Sequence, residues 1–122
     1  MMVRVLILED DDDIRLISSE TLREAGFEVL GASSVERAIE MCRSDAPELA
    51  LVDLQLEGRS GWEFVRWARS EGQHTRCAVF SVHAMEPHNV EEGVRLEVGA
   101  LIQKTGNPED LVRAVRDLLS AS

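Results

Sequence analysis

The sequence VRVLILEDDDD, residues 3–13, places an apolar run directly before a cluster of acidic residues. Arg4 is the one polar residue in the run Val3–Leu8, which is typical of a strand buried on both faces of a parallel sheet. Glu9 and Asp10 follow at the point where this strand should end. Because open α/β sheets bind ligands outside the carboxyl ends of their strands, the stretch predicts an acidic site at that edge.

Three further apolar runs end in a polar residue of a kind that phosphoryl chemistry uses. They are Leu49–Val52 before Asp53, Ala78–Phe80 before Ser81, and Leu101–Gln103 before Lys104. If the four runs are parallel strands of one sheet, their carboxyl ends converge at one edge, and carboxylates, a hydroxyl and an ammonium share a small volume. Carboxylates this close together cannot all stay ionised without a cation. The pattern therefore predicts a divalent metal and a phosphoryl group at one site.

Apolar residues at helical spacing lie between and after these runs. We predict a first helix over residues 12–25, followed by Gly26 as a left-handed stop. The positions that define this helix are Ile14, Ile17, Thr21, Leu22 and Ala25. The other clear helices should begin after Ser33-Ser34, after the loop Gly58–Gly61 and after Asn107-Pro108. Gly72 should end the helix that follows the glycine loop.

A short strand, Phe27–Gly31, raises the number of predicted strands to five. Strands that alternate with helices imply right-handed crossovers and a flavodoxin-like three-layer α/β/α sandwich, with a parallel sheet of order 2-1-3-4-5. We expect residues 1–122 to form a single domain. Only Glu86–Val98 fits poorly, because it contains Pro87 and Gly93 and has weak periodicity. The fourth helix should therefore be short, shifted or frayed.

Composition narrows the classes of function. The chain of 122 residues has 23 acidic and 13 basic residues and a net charge of -10, which argues against direct binding to nucleic acid or an anionic membrane surface. A protein partner is favoured instead. Cys42 and Cys77 have neither the spacing of metal ligands nor a disulfide framework. The absence of a membrane-length apolar run, and an N-terminus that leads straight into a strand, predict a cytoplasmic protein.

Four motifs, each at a predicted strand end, resemble those of the receiver domain of two-component response regulators, from Val3 to about Leu119. The motifs are Leu8-Glu9-Asp10-Asp11, Val52-Asp53-Leu54 followed by Gly58 and Gly61, Phe80-Ser81, and Gln103-Lys104-Thr105. The resemblance implies that a histidine kinase or histidine phosphotransfer protein donates a phosphoryl group to Asp53. It also implies a signalling switch that catalyses only its own phosphorylation and dephosphorylation, with a downstream protein target that the sequence does not name.

The resemblance implies a role for each site residue. Asp53 is the phosphoacceptor, and Lys104 and Ser81 should contact oxygens of the phosphoryl group. Mg²⁺ prefers oxygen ligands, so Asp10, Asp53 and the Gln55 backbone carbonyl should bind it, with Glu9 acting through a water. Asp11–Asp13 match no metal position of the family and should cap the first helix. The simpler alternatives are helix capping by Glu9 and Asp10, a turn aspartate at Asp53, strand-end capping by Ser81 and a solvated Lys104.

Several positions depart from the family pattern. Val82 replaces a small residue, Leu101 an aromatic residue, and Thr105 and Glu57 each a proline, while the segment from Ser81 to Lys104 is one residue longer. Most of these changes lie on the face that ordinarily transmits the signal. We therefore predict an intact phosphorylation site combined with an unusual output surface. His74, His83 and His88 should be exposed, although His83 and Gln55 occupy positions at which the family tunes acyl-phosphate lifetime.

Two other functions compete with the phosphorylated switch. A binding module that keeps the fold but signals without phosphorylation would explain Val82, Leu101 and the irregular fourth helix. A small metal-dependent phosphatase would share the aspartate and Mg²⁺ chemistry. The phosphatase is disfavoured because Gln55 stands where its second aspartate, two residues after Asp53, would be expected.

Overall fold

The computed structural model describes residues 2–71 and 74–120, in which helices cover both faces of a parallel sheet. In chain order the strands are β1 (Arg4–Leu8), β2 (Glu28–Ala32), β3 (Leu49–Val52), β4 (Gln55–Leu56), β5 (Arg59–Ser60), β6 (Arg76–Ser81) and β7 (Ala100–Gln103). Five of them pair in the order β2-β1-β3-β6-β7, while β4 and β5 form a separate antiparallel hairpin. Since β6 and β7 are the fourth and fifth predicted strands, the predicted order and the flavodoxin-like α/β fold are confirmed.

The helices are α1 (Asp12–Glu24), α2 (Val35–Ser44), α3 (Trp62–Ser70), α4 (Pro87–Arg95) and α5 (Pro108–Ser120). Asp11 and Ser34 cap α1 and α2 by accepting the backbone N–H three residues on, at 3.0 and 3.2 Å. Gly26 ends α1 with a φ of +99°, as predicted. Gly72, predicted to end α3, lies outside the described residues. No described helix is long and apolar enough to cross a bilayer.

The core lies in two layers, one on each face of the sheet. Successive side chains of a strand point to opposite faces, so Leu6 and Leu8 of β1 pack with α2 and α3 around Phe64. Val5 and Ile7 of the same strand pack on the other face with α1 and α5. These four side chains of β1 are all buried. The continuous apolar run in the sequence therefore reflects a strand that is covered on both sides.

The buried face of α1 differs from the helical pattern in its sequence. Ile14 and Ile17 are 39% and 57% exposed, whereas Ser18, Ser19 and Leu22 are buried. The two isoleucines lie on a groove between α1 and the start of α5, with a volume of about 360 Å³. Helical spacing identified the helix, but its apolar positions do not all face the sheet, because the N-terminal half of α1 borders this groove.

Helix α4 is short, as the weak periodicity of its sequence predicted. It spans nine residues, with Pro87 in its first turn, and its buried residues are Asn89 and Gly93. Val94, one of its few apolar residues, is 74% exposed. The inward face of α4 is thus made of an amide and a glycine, which gives no apolar periodicity to read.

Candidate functional site

Three carboxyl groups meet at the carboxyl ends of β1 and β3. Glu9, Asp10 and Asp53 each offer one oxygen, and these atoms all lie within 4.8 Å of one another. The pairing of β1 with β3 explains the meeting, because the Asp53 N–H donates to the carbonyl of Leu8 at 3.0 Å. Glu9 and Asp53 are 3% and 8% exposed. The sheet thus gathers acids that are far apart in the sequence into one buried cluster.

Lys104 reaches this cluster from the end of β7. Its Nζ donates to Glu9 Oε1 at 2.5 Å and to Asp53 Oδ2 at 3.1 Å. The same ammonium lies 5.4 Å from the ring centroid of Phe80, within the range of a cation–π contact. The lysine side chain is only 13% exposed. It therefore bridges two carboxylates inside the protein rather than in solvent.

The pKa values of Glu9 and Lys104 both lie above their ordinary values. Burial raises the pKa of Glu9, and the charge of Asp53 adds to this shift although the hydrogen bond from Lys104 opposes it. Burial lowers the pKa of Lys104, but the hydrogen bond to Glu9 and the charge of Asp53 outweigh it, so the pKa lies above its ordinary value. Burial is thus the main cause of the shift at Glu9, whereas the two carboxylates that Lys104 contacts are the cause at Lys104. Such a cluster attracts a further cation.

The loop after Asp53 folds back over the acids. The Gln55 N–H donates to Asp53 Oδ1 at 3.2 Å, and the Glu57 N–H donates to Asp10 Oδ2 at 2.6 Å. Sequence reasoning missed the contact with Asp10. The signal for it was that residue 57 is not a proline and so carries an N–H.

The start of α3 lies against the main chain of Asp53. A Cβ placed on Gly61 would lie 2.0 Å from the carbonyl oxygen of Asp53 and 2.8 Å from Cγ1 of Val52. No side chain fits there, although the φ of Gly61 is -61°, a value that any residue can adopt. The loop after Asp53 can therefore close this tightly only with glycine at position 61.

Ser81 ends β6 and is fully buried. Its Oγ accepts the N–H of His83 at 3.1 Å, and its carbonyl accepts the backbone N–H of Lys104 at 3.2 Å. The hydroxyl hydrogen remains available for donation, because a serine hydroxyl can accept and donate at the same time. Gln55, in contrast, has an exposed side chain, and the metal-binding role of its carbonyl stays a prediction.

The remaining residues that the sequence singled out lie away from the acids. His74 and His88 are exposed, and the His83 imidazole pairs with Glu86 within its own loop. Cys42 and Cys77 are free and buried. Sequence reasoning also overlooked Asn89, a buried amide on α4. A polar residue at a helical position among weakly apolar neighbours was the available signal.

The donor set fits a hard divalent cation. Carboxylate oxygens are the ligands that Mg²⁺ and Ca²⁺ prefer, and those of Glu9, Asp10 and Asp53 lie close enough together to share one ion. One ammonium among three carboxylates leaves the cluster about two charges short of neutrality when all are ionised. Receiver domains generally bind Mg²⁺ at an acidic pocket of this kind.

Similarity to known proteins agrees with this arrangement. Residues 5–116 match the model of the response regulator receiver domain. The structure of the chemotaxis protein CheY4 of Vibrio cholerae superposes with a TM-score of 0.90, at 26% identity, over 97% of this chain and 99% of its own. The receiver domain of a NarL-type response regulator from Mycobacterium tuberculosis gives a TM-score of 0.88 at 25% identity, over 99% of this chain and 98% of its own.

Two curated relatives are longer proteins. The phosphate regulon transcriptional regulatory protein PhoB of Klebsiella pneumoniae is 30% identical over 122 residues, which cover 98% of this chain and 52% of PhoB. A cyclic di-GMP phosphodiesterase of Thermotoga maritima is 36% identical over 107 residues, which cover 86% of this chain and 28% of that protein. The chain thus spans about half of the first relative and less of the second. Because the family model matches nearly the whole length of this chain, the chain belongs to the receiver domains of two-component response regulators.

Proposed function

We propose that this chain is a phosphorylation-controlled switch that accepts a phosphoryl group on Asp53 from a histidine kinase or histidine phosphotransfer protein. Glu9, Asp10, Asp53 and the Gln55 backbone carbonyl would hold Mg²⁺. The observation that carries the proposal is the Lys104 ammonium bridging Glu9 and Asp53 beside a third carboxylate. A buried acidic cluster with one embedded cation is suited to stabilise the charge of a transferring phosphoryl group.

The Asp53 carboxylate is held in a fixed orientation for attack. One of its oxygens accepts the Gln55 N–H and the other accepts Lys104 Nζ. Bound Mg²⁺ would neutralise negative charge on the phosphoryl oxygens. During transfer the bond from phosphorus to the donor breaks as the bond to an Asp53 oxygen forms, and the donor leaves with the bonding electron pair. Lys104 would pair with an oxygen of the new group.

Ser81 would bind a second phosphoryl oxygen. Its Oγ already accepts the His83 N–H, so the hydroxyl hydrogen can be directed at an acceptor without breaking that contact. In the product, Lys104 and Ser81 would hold the modified Asp53 from two different strands, β7 and β6. Phosphorylation would therefore change the contacts at the ends of both strands and in the loops that follow them.

The alternatives draw less support from the geometry. A module that signals without phosphorylation has no need of a buried lysine aimed at two buried carboxylates. Receiver domains are generally signalling modules rather than enzymes, and we propose that this chain acts only on its own Asp53. We further propose that residues 1–122 contribute one domain that works in the cytoplasm and binds a downstream protein rather than nucleic acid or membrane, in keeping with its net charge of -10.

The test is to incubate the chain with acetyl phosphate and Mg²⁺ and to measure its intact mass. The wild-type protein should gain one phosphoryl group, and chelation of the metal should prevent the gain. Asp53→Asn should abolish it, whereas Asp117→Asn, a change at an exposed aspartate on α5, should not. A wild-type mass that stays unchanged, or a phosphoryl group that persists in Asp53→Asn, would contradict the proposal.

A further inference from the structure

We propose that Asn89, held in place by Trp62, is a positioning residue that fixes the Ser81 hydroxyl. The inference rests on the proposed function, in which Ser81 donates to the phosphoryl group on Asp53. It assigns a role in the chemistry to two residues that the family motifs do not include. Both lie on helices, Trp62 on α3 and Asn89 on α4, and they meet beneath the loop that joins β6 to α4.

Three consecutive hydrogen bonds connect Trp62 to Ser81. The indole Nε1–H of Trp62 donates to Asn89 Oδ1 at 3.0 Å, and Asn89 Nδ2 donates to the carbonyl of His83 at 2.9 Å. The N–H of His83 then donates to Ser81 Oγ at 3.1 Å. Asn89 thus binds the carbonyl of His83, and the N–H of the same residue binds the Ser81 hydroxyl oxygen. A shift of the His83 main chain would move the hydroxyl oxygen with it.

Burial makes these contacts hard to replace. Trp62 and Asn89 are 7% and 5% exposed, and Ser81 is fully buried. A buried amide that loses its partners cannot recover them from water, so the arrangement with both ends of Asn89 satisfied is strongly preferred. The only other buried residue of α4 is Gly93, which has no side chain to fix the helix. Asn89 is therefore the buried side chain through which α4 holds the loop.

The far end of the connection is anchored beside the phosphoacceptor. Trp62 is the first residue of α3 and follows Gly61, whose Cα faces the carbonyl oxygen of Asp53 too closely to carry a Cβ. The connection thus begins at the main chain next to Asp53 and ends at Ser81. A set of hydrogen-bonded residues that connects Asp53 with Ser81 is suited to fix the distance between these two residues.

A matched pair of tryptophans on α3 allows the idea to be tested. Trp62 donates to Asn89, whereas the indole N–H of Trp67 is buried without an acceptor among the described residues. Trp62→Phe and Trp67→Phe each remove one indole N–H from the same helix. We expect Trp62→Phe and Asn89→Leu to slow phosphorylation of Asp53 by acetyl phosphate about fivefold, the factor that loss of one hydrogen bond typically corresponds to. Trp67→Phe should leave the rate unchanged.

A double-mutant cycle separates positioning from general damage to the fold. If Asn89 acts through the Ser81 hydroxyl, Asn89→Leu should slow phosphorylation in the wild-type background and have no further effect in Ser81→Ala. The half-saturating concentration of acetyl phosphate should stay constant in all four proteins, because only the chemical step is affected. Equal slowing by Asn89→Leu in both backgrounds, or equal effects of the two tryptophan variants, would overturn the inference.

The proposed function and this inference fail in different ways. If the wild-type protein gains no phosphoryl group, the proposed function falls, and the role assigned to Asn89 falls with it. If the wild-type protein is phosphorylated but the cycle shows additive effects, the function stands and only the positioning role is lost. Hydrogen exchange of the two indole N–H groups gives an independent check on the contact. Slow exchange at Trp62 that becomes fast in Asn89→Leu supports it, and fast exchange at Trp62 in the wild-type protein excludes it.

Discussion

The acidic cluster and the segment from Ser81 to Arg95, which comprises the β6–α4 loop and α4, are held together by different forces. The cluster is fixed by charge, with Lys104 joined to a glutamate 95 positions away in the chain. The segment is fixed by neutral hydrogen bonds, and three of its large apolar side chains, Val82, Met85 and Val94, are more than half exposed. Charge contacts between strand ends tolerate little change in residue type. The segment has more freedom, and Val82, one of the positions predicted to depart from the family pattern, lies in it.

The largest difference between the two regions should appear when a charge is removed from the cluster. Lys104→Met should lower the rate of phosphorylation by acetyl phosphate about 100-fold to 1,000-fold, the loss typical when one charge-stabilising group is removed from an active site. The rate of mass gain in Mg²⁺ measures the effect.

The control for Lys104→Met is Arg113→Met, which removes a cation from the exposed surface of α5. The Arg113 side chain is 70% exposed and lies 3.8 Å from Asp110, so its contribution is screened by water. The Arg113→Met variant should therefore be phosphorylated at the wild-type rate. If both variants lost activity equally, the net charge of the chain would matter more than the position of Lys104, and the contrast between the two regions would fail.

A smaller effect should follow from adding one methyl group to each region. In Gly61→Ala the new Cβ would lie 2.0 Å from a backbone oxygen, which cannot move aside, so unfolding free energy should fall by about 2 to 3 kcal/mol. In Gly93→Ala the Cβ would meet the side-chain ends of Leu101 and Val98 at 3.1 and 3.2 Å, and these can yield. The helix also gains up to about 1 kcal/mol when alanine replaces glycine.

Chemical denaturation measures both glycine variants against the wild-type protein. We expect Gly93→Ala to lie within about 1 kcal/mol of wild type, because the gain in helix propensity offsets the repacking. Equal destabilisation by the two changes would show that α4 is packed as rigidly as the loop after Asp53.

The contrast also explains what could be predicted from the sequence. Each strand end was visible because an apolar run stops at or just before Glu9, Asp53, Ser81 or Lys104, and parallel pairing then brings these residues to one edge. The β4–β5 hairpin escaped prediction because its strands have two residues each, too few for a period to show.

The details of α1 and α4 depended on tertiary structure. Ile14 and Ile17 fit a helical pattern, yet they border a groove instead of the core. Asn89 is buried because two hydrogen-bonding partners, Trp62 and His83, converge on it from other parts of the chain. Neither fact can be inferred from local spacing, since both depend on which element lies opposite.

The smallest effect concerns Cys77, which lies in the buried part of β6, the strand that leads into the more open segment. Burial raises the pKa of the Cys77 thiol to about 12, with further help from Cys42 nearby. An unfolded thiol ionises near its ordinary value of 9.0, so the folded form keeps a proton that the unfolded form loses. The stability that this contributes is fully present below pH 9 and is lost as the pH rises toward 12. No effect is expected at neutral pH.

Alkylation of the native protein by iodoacetamide at pH 9, read out by mass after digestion, measures this protection. Cys77 should react only as fast as the whole protein unfolds, because the thiolate that reacts forms only on exposure. In denaturant, where both thiols are exposed, Cys42 and Cys77 should react at equal rates, which sets the unprotected limit. Fast reaction of Cys77 in the folded protein would mean that β6 opens locally, and the strand that ends at Ser81 would then be less rigid than the acidic cluster.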